Sequence, residues 1–285
     1  MSPDSSALDR WRRWDPWLLV LVTVLVYAAS LSGDFLAYDD DWLIEQNELL
    51  HLPFGDAVRR FFFDLDPQTR LALGAEYLPL RDLSIWLDTH LFGVAAPPMR
   101  VVQLTMWVGA SLAFRAAFIR TVGPARGMVL AWLFVLHPTH VESVAWLAGR
   151  KDVLALLFMA LALVVHTRED SQRWWKVAAL WLAACLSKSM SVGFLGPLLA
   201  TDLLLGRPLD RRTYGISGVM LIGVLAMHAH VGTMVHMVGG PLAGDRGLAA
   251  RVMGTVVLRY FRTTLDPSGA SLRYDIDLEA EWTVS

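Results

Sequence analysis

Apolar runs interrupted at short intervals by charged turns set the pattern of the chain. A helix needs about 20 apolar residues to cross a bilayer core. On that measure the runs predict seven membrane helices, over about 16–32, 99–119, 125–137, 152–166, 174–187, 190–206 and 213–230. Several are short for a full crossing, which predicts tilted, broken or re-entrant geometry. The first run follows Arg10, Arg12 and Arg13 with no small-x-small cleavage pattern after it, so it reads as a retained span.

Two long segments interrupt this rhythm. Residues 33–98 contain ELLHLPFGDAVRRFFFD and YLPLRDLSIWLDTHLFG, both amphipathic at helical spacing. In the second, Leu80, Leu83, Trp86, Leu87 and Leu91 share a face while Arg81, Asp82 and Asp88 lie off it. Helices of this kind, lying along a membrane surface, roof the ends of the spans. Residues 231–285 open with Gly239, Gly240, Gly244 and Gly247, then predict an interfacial helix over 248–264 carrying Arg251, Arg259 and Arg262. The chain thus divides into a membrane domain, 1–230, and an outer C-terminal segment, 231–285.

Between the third and fourth runs stands HPTHVESVAWLAGRKD, residues 137–152. It gathers two His, one Glu, one Asp, one Arg and one Lys into sixteen positions. At a membrane boundary such groups must face water, a polar cavity or one another.

Composition agrees with a membrane protein: 55% of the 285 residues are hydrophobic and 18% charged, against about 25% charged in soluble domains. The single cysteine, Cys185, excludes an intramolecular disulfide. A net charge of −2 with no basic tail gives no sign of a nucleic-acid partner. Charge distribution predicts orientation. Arg10, Arg12, Arg13, Arg120, Arg126, Arg168, Arg173, Lys176, Arg207, Arg211 and Arg212 fall on one side if the spans alternate, whereas the opposite short loops hold Arg150, Lys151 and Lys188. The positive-inside rule then puts the N-terminus in the cytoplasm and residues 33–98, 137–152 and 231–285 on the periplasmic or outer face, as in a bacterial inner membrane.

Asp39, Asp40 and Asp41 stand consecutively just after the first run. Adjacent carboxylates at a membrane surface repel and are desolvated, which raises at least one pKa. This suits a general base or a divalent-cation ligand, and equally a solvated turn capping the next helix. His137 and His140, three apart, share a face if the stretch is helical. Arg150 and Lys151 suit anion binding, as do Lys188 in LSKSMS and the pair Arg259 and Arg262; ordinary head-group contacts are the simpler use of each. All these positions fall on the same predicted side. Together they form an inventory for moving a group from a lipid phosphate to an acceptor.

YDDDWLI, YLPLRDLSIWLD, HPTHVESVAWLAGRKD, LSKSMSV and YFRTTLDPSGASLRYD occur in an order that resembles the transmembrane and tetratricopeptide-repeat O-mannosyltransferases, with bacterial relatives closer still. The resemblance spans about 15–276. It implies an all-α GT-C membrane glycosyltransferase fold of about seven spans and a polyprenyl-phosphate-linked sugar as donor. In eukaryotic members the donor is dolichyl-phosphate-mannose and the acceptor is Ser or Thr of a protein. Carried over by position, Asp39 or Asp40 is the catalytic base, and Asp40 with Glu142 the ligands where Mg²⁺ or Mn²⁺ is used. Lys188, Arg262 and Arg150 hold the donor phosphate, while His137, His140, Glu142 and Asp152 orient the donor or a cation. The family pattern continues into further spans and repeats beyond Ser285. A non-catalytic scaffold subunit of a membrane complex, truncated but GT-C-like, is therefore the competing expectation.

Overall fold

The computed structural model describes residues 3–168, 173–236 and 246–269, with side chains from residue 13 onward. Every regular element among them is helical. Helix α1 (Pro3–Tyr27) covers the first apolar run. The loop after it folds into α2 (Phe54–Phe62), α3 (Pro67–Ala72) and α4 (Pro79–Phe92), with a π-helical turn at Asp41–Glu45 and a 3-10 turn at Glu48–His51. Helices α5 (Ala96–Val122) and α6 (Pro124–Val135) follow. The polar stretch bends through a 3-10 turn (Pro138–His140), α7 (Val141–Ala145) and a second 3-10 turn (Leu147–Gly149) into α8 (Arg150–His166). Then come α9 (Arg173–Ser187), a 3-10 segment (Ser189–Phe194), α10 (Leu195–Leu204), α11 (Arg211–Met234) and α12 (Arg246–Leu265).

Local chemistry accounts for the breaks. Asp66 caps α3 by accepting from the amides of Gln68 and Thr69, ahead of Pro67. Gly93 and Gly123 end α4 and α5 at positive φ, and prolines restart the chain in α6. Pro138 interrupts the helix after α6, so that α6 and the 138–145 helix meet at 49°. The α5–α6 hairpin depends on Gly127, where a Cβ would stand 2.5 Å from the Ile119 backbone. Gly127→Leu is therefore expected to destabilise by about 1–3 kcal/mol, read as a lower melting temperature in detergent. An unchanged melt would contradict that close approach.

Each of the seven apolar runs becomes helix, but fewer than seven reach the length and apolarity of a full crossing among the described residues. Among the described residues, Ala96–Val122 and Arg211–Met234 are long and apolar enough to span, and the bent pair Pro124–Val135 with Pro138–Ala145 makes a third if it counts as one span. The difference from the sequence expectation is one of length. The 17 residues of α8 and 15 of α9 rise about 1.5 Å each and fall short of a core about 30 Å thick. Outward-facing Trp17, Leu21, Leu25, Val129, Leu133, Val219 and Ile222 form the apolar surface expected of an integral membrane protein.

The bundle packs most extensively along α5–α8, α8–α9 and α5–α6. One core (Phe114, Ala160, Leu163, Val177, Trp181, Phe194, Leu198) lies within it. A second lies under the 33–98 segment, where Leu43, Ile44, Leu50, Phe61, Leu73 and Trp86 pack with Leu147 and Ala148. Residues 33–98 therefore form a folded cap seated on the polar stretch. In α4 the charged side is the one turned inward: Arg81, Asp82 and Asp88 are buried, while Leu87 and Leu91 are exposed. At the far end of the bundle, Arg115 and the Trp132 indole N–H bind the buried Asp15 carboxylate, and His166 meets Asp202, which also accepts from the Tyr214 hydroxyl at 2.8 Å.

Candidate functional site

The acidic loop and the polar stretch meet at one residue. Asp40 is wholly buried. Its Oδ1 accepts from the Ala148 amide at 2.8 Å and its Oδ2 from the Leu36 amide at 3.1 Å. Burial pushes its carboxyl above the usual aspartate range, against the pull of those two amides and the Arg100 guanidinium; the neighbouring Asp39 adds to the rise. Arg100 also donates to the carbonyls of Ser30 and Asp34, which fixes the start of the loop on α5. Asp39 and Asp41 are each half-buried. Tyr38 and Trp146 face each other with ring centroids 5.8 Å apart, so the two segments also touch on the Asp39 side. Of the three carboxylates, Asp40 is the anchor, with Asp39 and Asp41 both partly accessible beside it.

The turn that presents Ala148 is itself held from below. Gln103 on α5 is fully buried, and its amide nitrogen donates to the carbonyls of Ser143, Val144 and Trp146 at 2.9, 3.2 and 2.6 Å. Its Oε1 accepts from Arg150 Nε at 3.1 Å. Arg150 Nη2 in turn donates to Asp88 at 2.7 Å and to the Met99 carbonyl at 2.9 Å. The sequence reading makes Arg150 a phosphate fork. In the structure its side chain is 1% exposed; Nε and Nη2 are taken by these groups, while Nη1 is buried without a hydrogen-bond partner. Arg150 ties the cap helix α4 to the bundle.

The remaining predicted residues separate into three places. Lys188, at the end of α9, pairs with Asp152 in the first turn of α8; both are about a quarter exposed, at 27% and 25%. Glu142 lies near enough to this pair to feel both charges. Lys151 binds Glu76 at 2.7 Å, and Glu76 also meets Arg81. The His140 ring packs between Trp107 and Phe134, with centroid distances of 4.8 and 4.7 Å, an aromatic pocket rather than a polar one. His137 contacts the Thr139 hydroxyl and, through Nε2, the Thr264 carbonyl at 2.8 Å, which brings the end of α12 to the polar stretch. Arg262 lies on that helix, exposed, one turn before Asp266. The helix predicted over 248–264 thus runs from Arg246 to Leu265, and Gly239, Gly240 and Gly244 lie outside the described residues.

For the cation reading, no group of three or more His, Cys, Asp or Glu side chains converges as a metal site among the described residues. Asp40 is wholly buried with each oxygen accepting one backbone amide, and Glu142 feels the charges of Asp152 and Lys188. Sequence reasoning also passes over Gln103, Asp88, Arg100 and Glu76. The signal for Gln103 was an amide side chain in the otherwise apolar run VVQLTMW; for Asp88 and Glu76 there was only an ordinary surface-type charge.

Comparison with characterised sequences supplies the context for this geometry. The chain is 32% identical to human protein O-mannosyl-transferase TMTC1 over 161 residues, 54% of this chain and 18% of that protein. It is 25% identical to human protein O-mannosyl-transferase TMTC4 over 221 residues, 67% and 29% of the two chains. Mouse protein O-mannosyl-transferase TMTC2 is 30% identical over 151 residues, 52% and 18%. No family model matches the chain, and no solved structure matches it. These partial similarities support a relation to the protein O-mannosyl-transferases of the TMTC type. The chain spans less than a third of the length of those relatives.

Proposed function

We propose that the protein transfers a sugar, mannose in the first instance, from a polyprenyl-phosphate carrier to an acceptor hydroxyl, a protein Ser or Thr, at the outer membrane face. The framework would be GT-C-like, with the N-terminus cytoplasmic and residues 33–98 and 231–285 outside. The observation that carries the reading is the clamp of Asp40 onto Ala148, which locks a carboxylate loop against the polar stretch and leaves Asp39 accessible. The relation to O-mannosyl-transferases supports the same chemistry.

Asp39 is the base in this reading, because a base must reach its substrate before its pKa matters. The acceptor oxygen attacks the anomeric carbon while its proton passes to an Asp39 oxygen. The bond from that carbon to the phosphate oxygen breaks, and the electron pair leaves with the phosphate. Lys188 stabilises the leaving phosphate on exchanging Asp152 for it, and Arg262 adds charge from α12. Arg150 is not among the phosphate ligands, and no step uses a metal.

The test is transfer of radiolabelled mannose from a short polyprenyl-phosphate-mannose to a Ser/Thr-rich peptide by the reconstituted chain. Labelled peptide is the expected product. Folded protein that labels no peptide, with mannose or with other polyprenyl-phosphate sugars, overturns the assignment in favour of a scaffold role. Lys188→Met is expected to raise the donor KM about tenfold, the loss of one hydrogen bond to a charged group, with kcat less affected.

A further inference from the structure

Nothing on the surface of Asp39 or Asp40 explains why the Ala148 amide points at the acidic loop. Isolated, residues 143–148 would be a mobile connection between two short helical turns. Three consecutive-turn carbonyls (Ser143, Val144, Trp146) are instead gathered onto one side chain, the buried amide of Gln103. An amide nitrogen carries two hydrogens, so three acceptors within 2.6–3.2 Å mean that one hydrogen is shared. The amide cannot rotate to exchange its ends, because Arg150 Nε requires an oxygen where Oε1 stands, and Arg150 is fixed by Asp88 and the Met99 carbonyl. The orientation of the Gln103 amide is thus dictated from α4 and read out two residues beyond Trp146, at the Ala148 amide.

We infer that Gln103 is a positioning residue for the carboxylate loop, acting through the 143–148 turn to hold Asp40 and, with it, Asp39. The inference rests on the reading of Asp39 as the base for its kinetic consequence, but not for its structural one. Ala148 is one of two amides that pull the Asp40 carboxyl down; Arg100, from the start of α5, also lowers it and Asp39, from the same loop, raises it. Releasing the turn removes the Ala148 amide and also changes the burial of Asp40, which is the largest cause of its shift. The Asp40 titration then leaves its parental position. A side chain that merely filled space would leave that titration in place.

Two variants make the test. Gln103→Met keeps the volume and removes every polar atom, while Gln103→Glu keeps an oxygen for Arg150 and removes the donors to the turn. The measurement is the carbon-13 carboxyl titration of Asp40 in the purified full chain, assigned by its loss in Asp40→Asn. Both variants are expected to move that titration away from its parental position and to lower kcat about tenfold or more, with the donor KM little changed. A titration unchanged in both folded variants overturns the inference, as does failure of both to fold, which would make Gln103 purely structural. The titration needs no sugar. An inactive parent protein would remove the proposed function, and the titration would still decide the role of Gln103.

Discussion

Asp39→Asn is expected to lower sugar transfer by ~10²–10⁴-fold, the range supplied by a positioned general base, without lowering the melting temperature. The asymmetry follows from the different situations of two adjacent carboxylates. Asp39 is half-buried and anchors no other segment, so amidation removes proton acceptance and little else. Asp40 is wholly buried and holds two backbone amides. Asp40→Ala strands both donors, each costing about 1–3 kcal/mol when buried, and loosens the loop, so both stability and rate fall. Asp40→Asn behaves differently. The folded Asp40 pKa is raised, so the protonated form is the one the fold favours. That contribution is complete below the unfolded aspartate pKa of about 3.9 and is lost as pH rises through the higher folded value. Asparagine is neutral but offers one acceptor where Asp40 offers two. Either the Ala148 or the Leu36 amide is then left facing a donor, so Asp40→Asn is expected to melt below the parent but above Asp40→Ala. Paired kinetic and melting measurements on the three variants check this. Should Asp39→Asn keep more than a tenth of the parental rate while Asp40→Asn loses it, the base is Asp40.

The helical content was legible because it rests on runs of apolar residues whose length and period need no partner to be recognised. The 79–92 helix, for example, starts at a proline and stops at a glycine. What those runs could not convey is how the charged side of a helix is used. Asp88 and Arg150 are 62 positions apart, and each alone resembles a solvated residue; only the fold makes them a pair. The same applies to Asp40, whose role depends on a backbone amide 108 positions away, and a backbone donor has no signature in composition. His140 shows the reverse case. Its type suggested chemistry, but its half-buried ring packs against Trp107 and Phe134, contacts that residue type does not convey. A motif conveys proximity in sequence, whereas the Asp40–Ala148 clamp depends on proximity in space.

Asp88→Ala is expected to be the most destabilising single substitution in the cap, by about 3–5 kcal/mol, the cost of leaving one member of a buried pair unpaired. The Asp88 and Arg150 side chains are 4% and 1% exposed, so solvent cannot take the place of the lost carboxylate. Arg150 already has one nitrogen, Nη1, buried without a hydrogen-bond partner, which leaves no slack for a second. The cap and the bundle share this contact, and so the cap core of Leu43, Ile44, Phe61 and Trp86 is expected to loosen in the same transition. The double variant Asp88→Leu, Arg150→Met removes both charges together and replaces them with apolar groups of similar size. Such replacements are often neutral or stabilising, so the double variant is expected to melt above Asp88→Ala. Its transfer rate, however, is expected to stay low, because Gln103 loses the guanidinium that orients its amide. Melting in detergent separates the two effects. A double variant that recovers stability but not rate shows that the buried pair serves the geometry of the carboxylate loop; one that recovers both shows that it serves the fold alone.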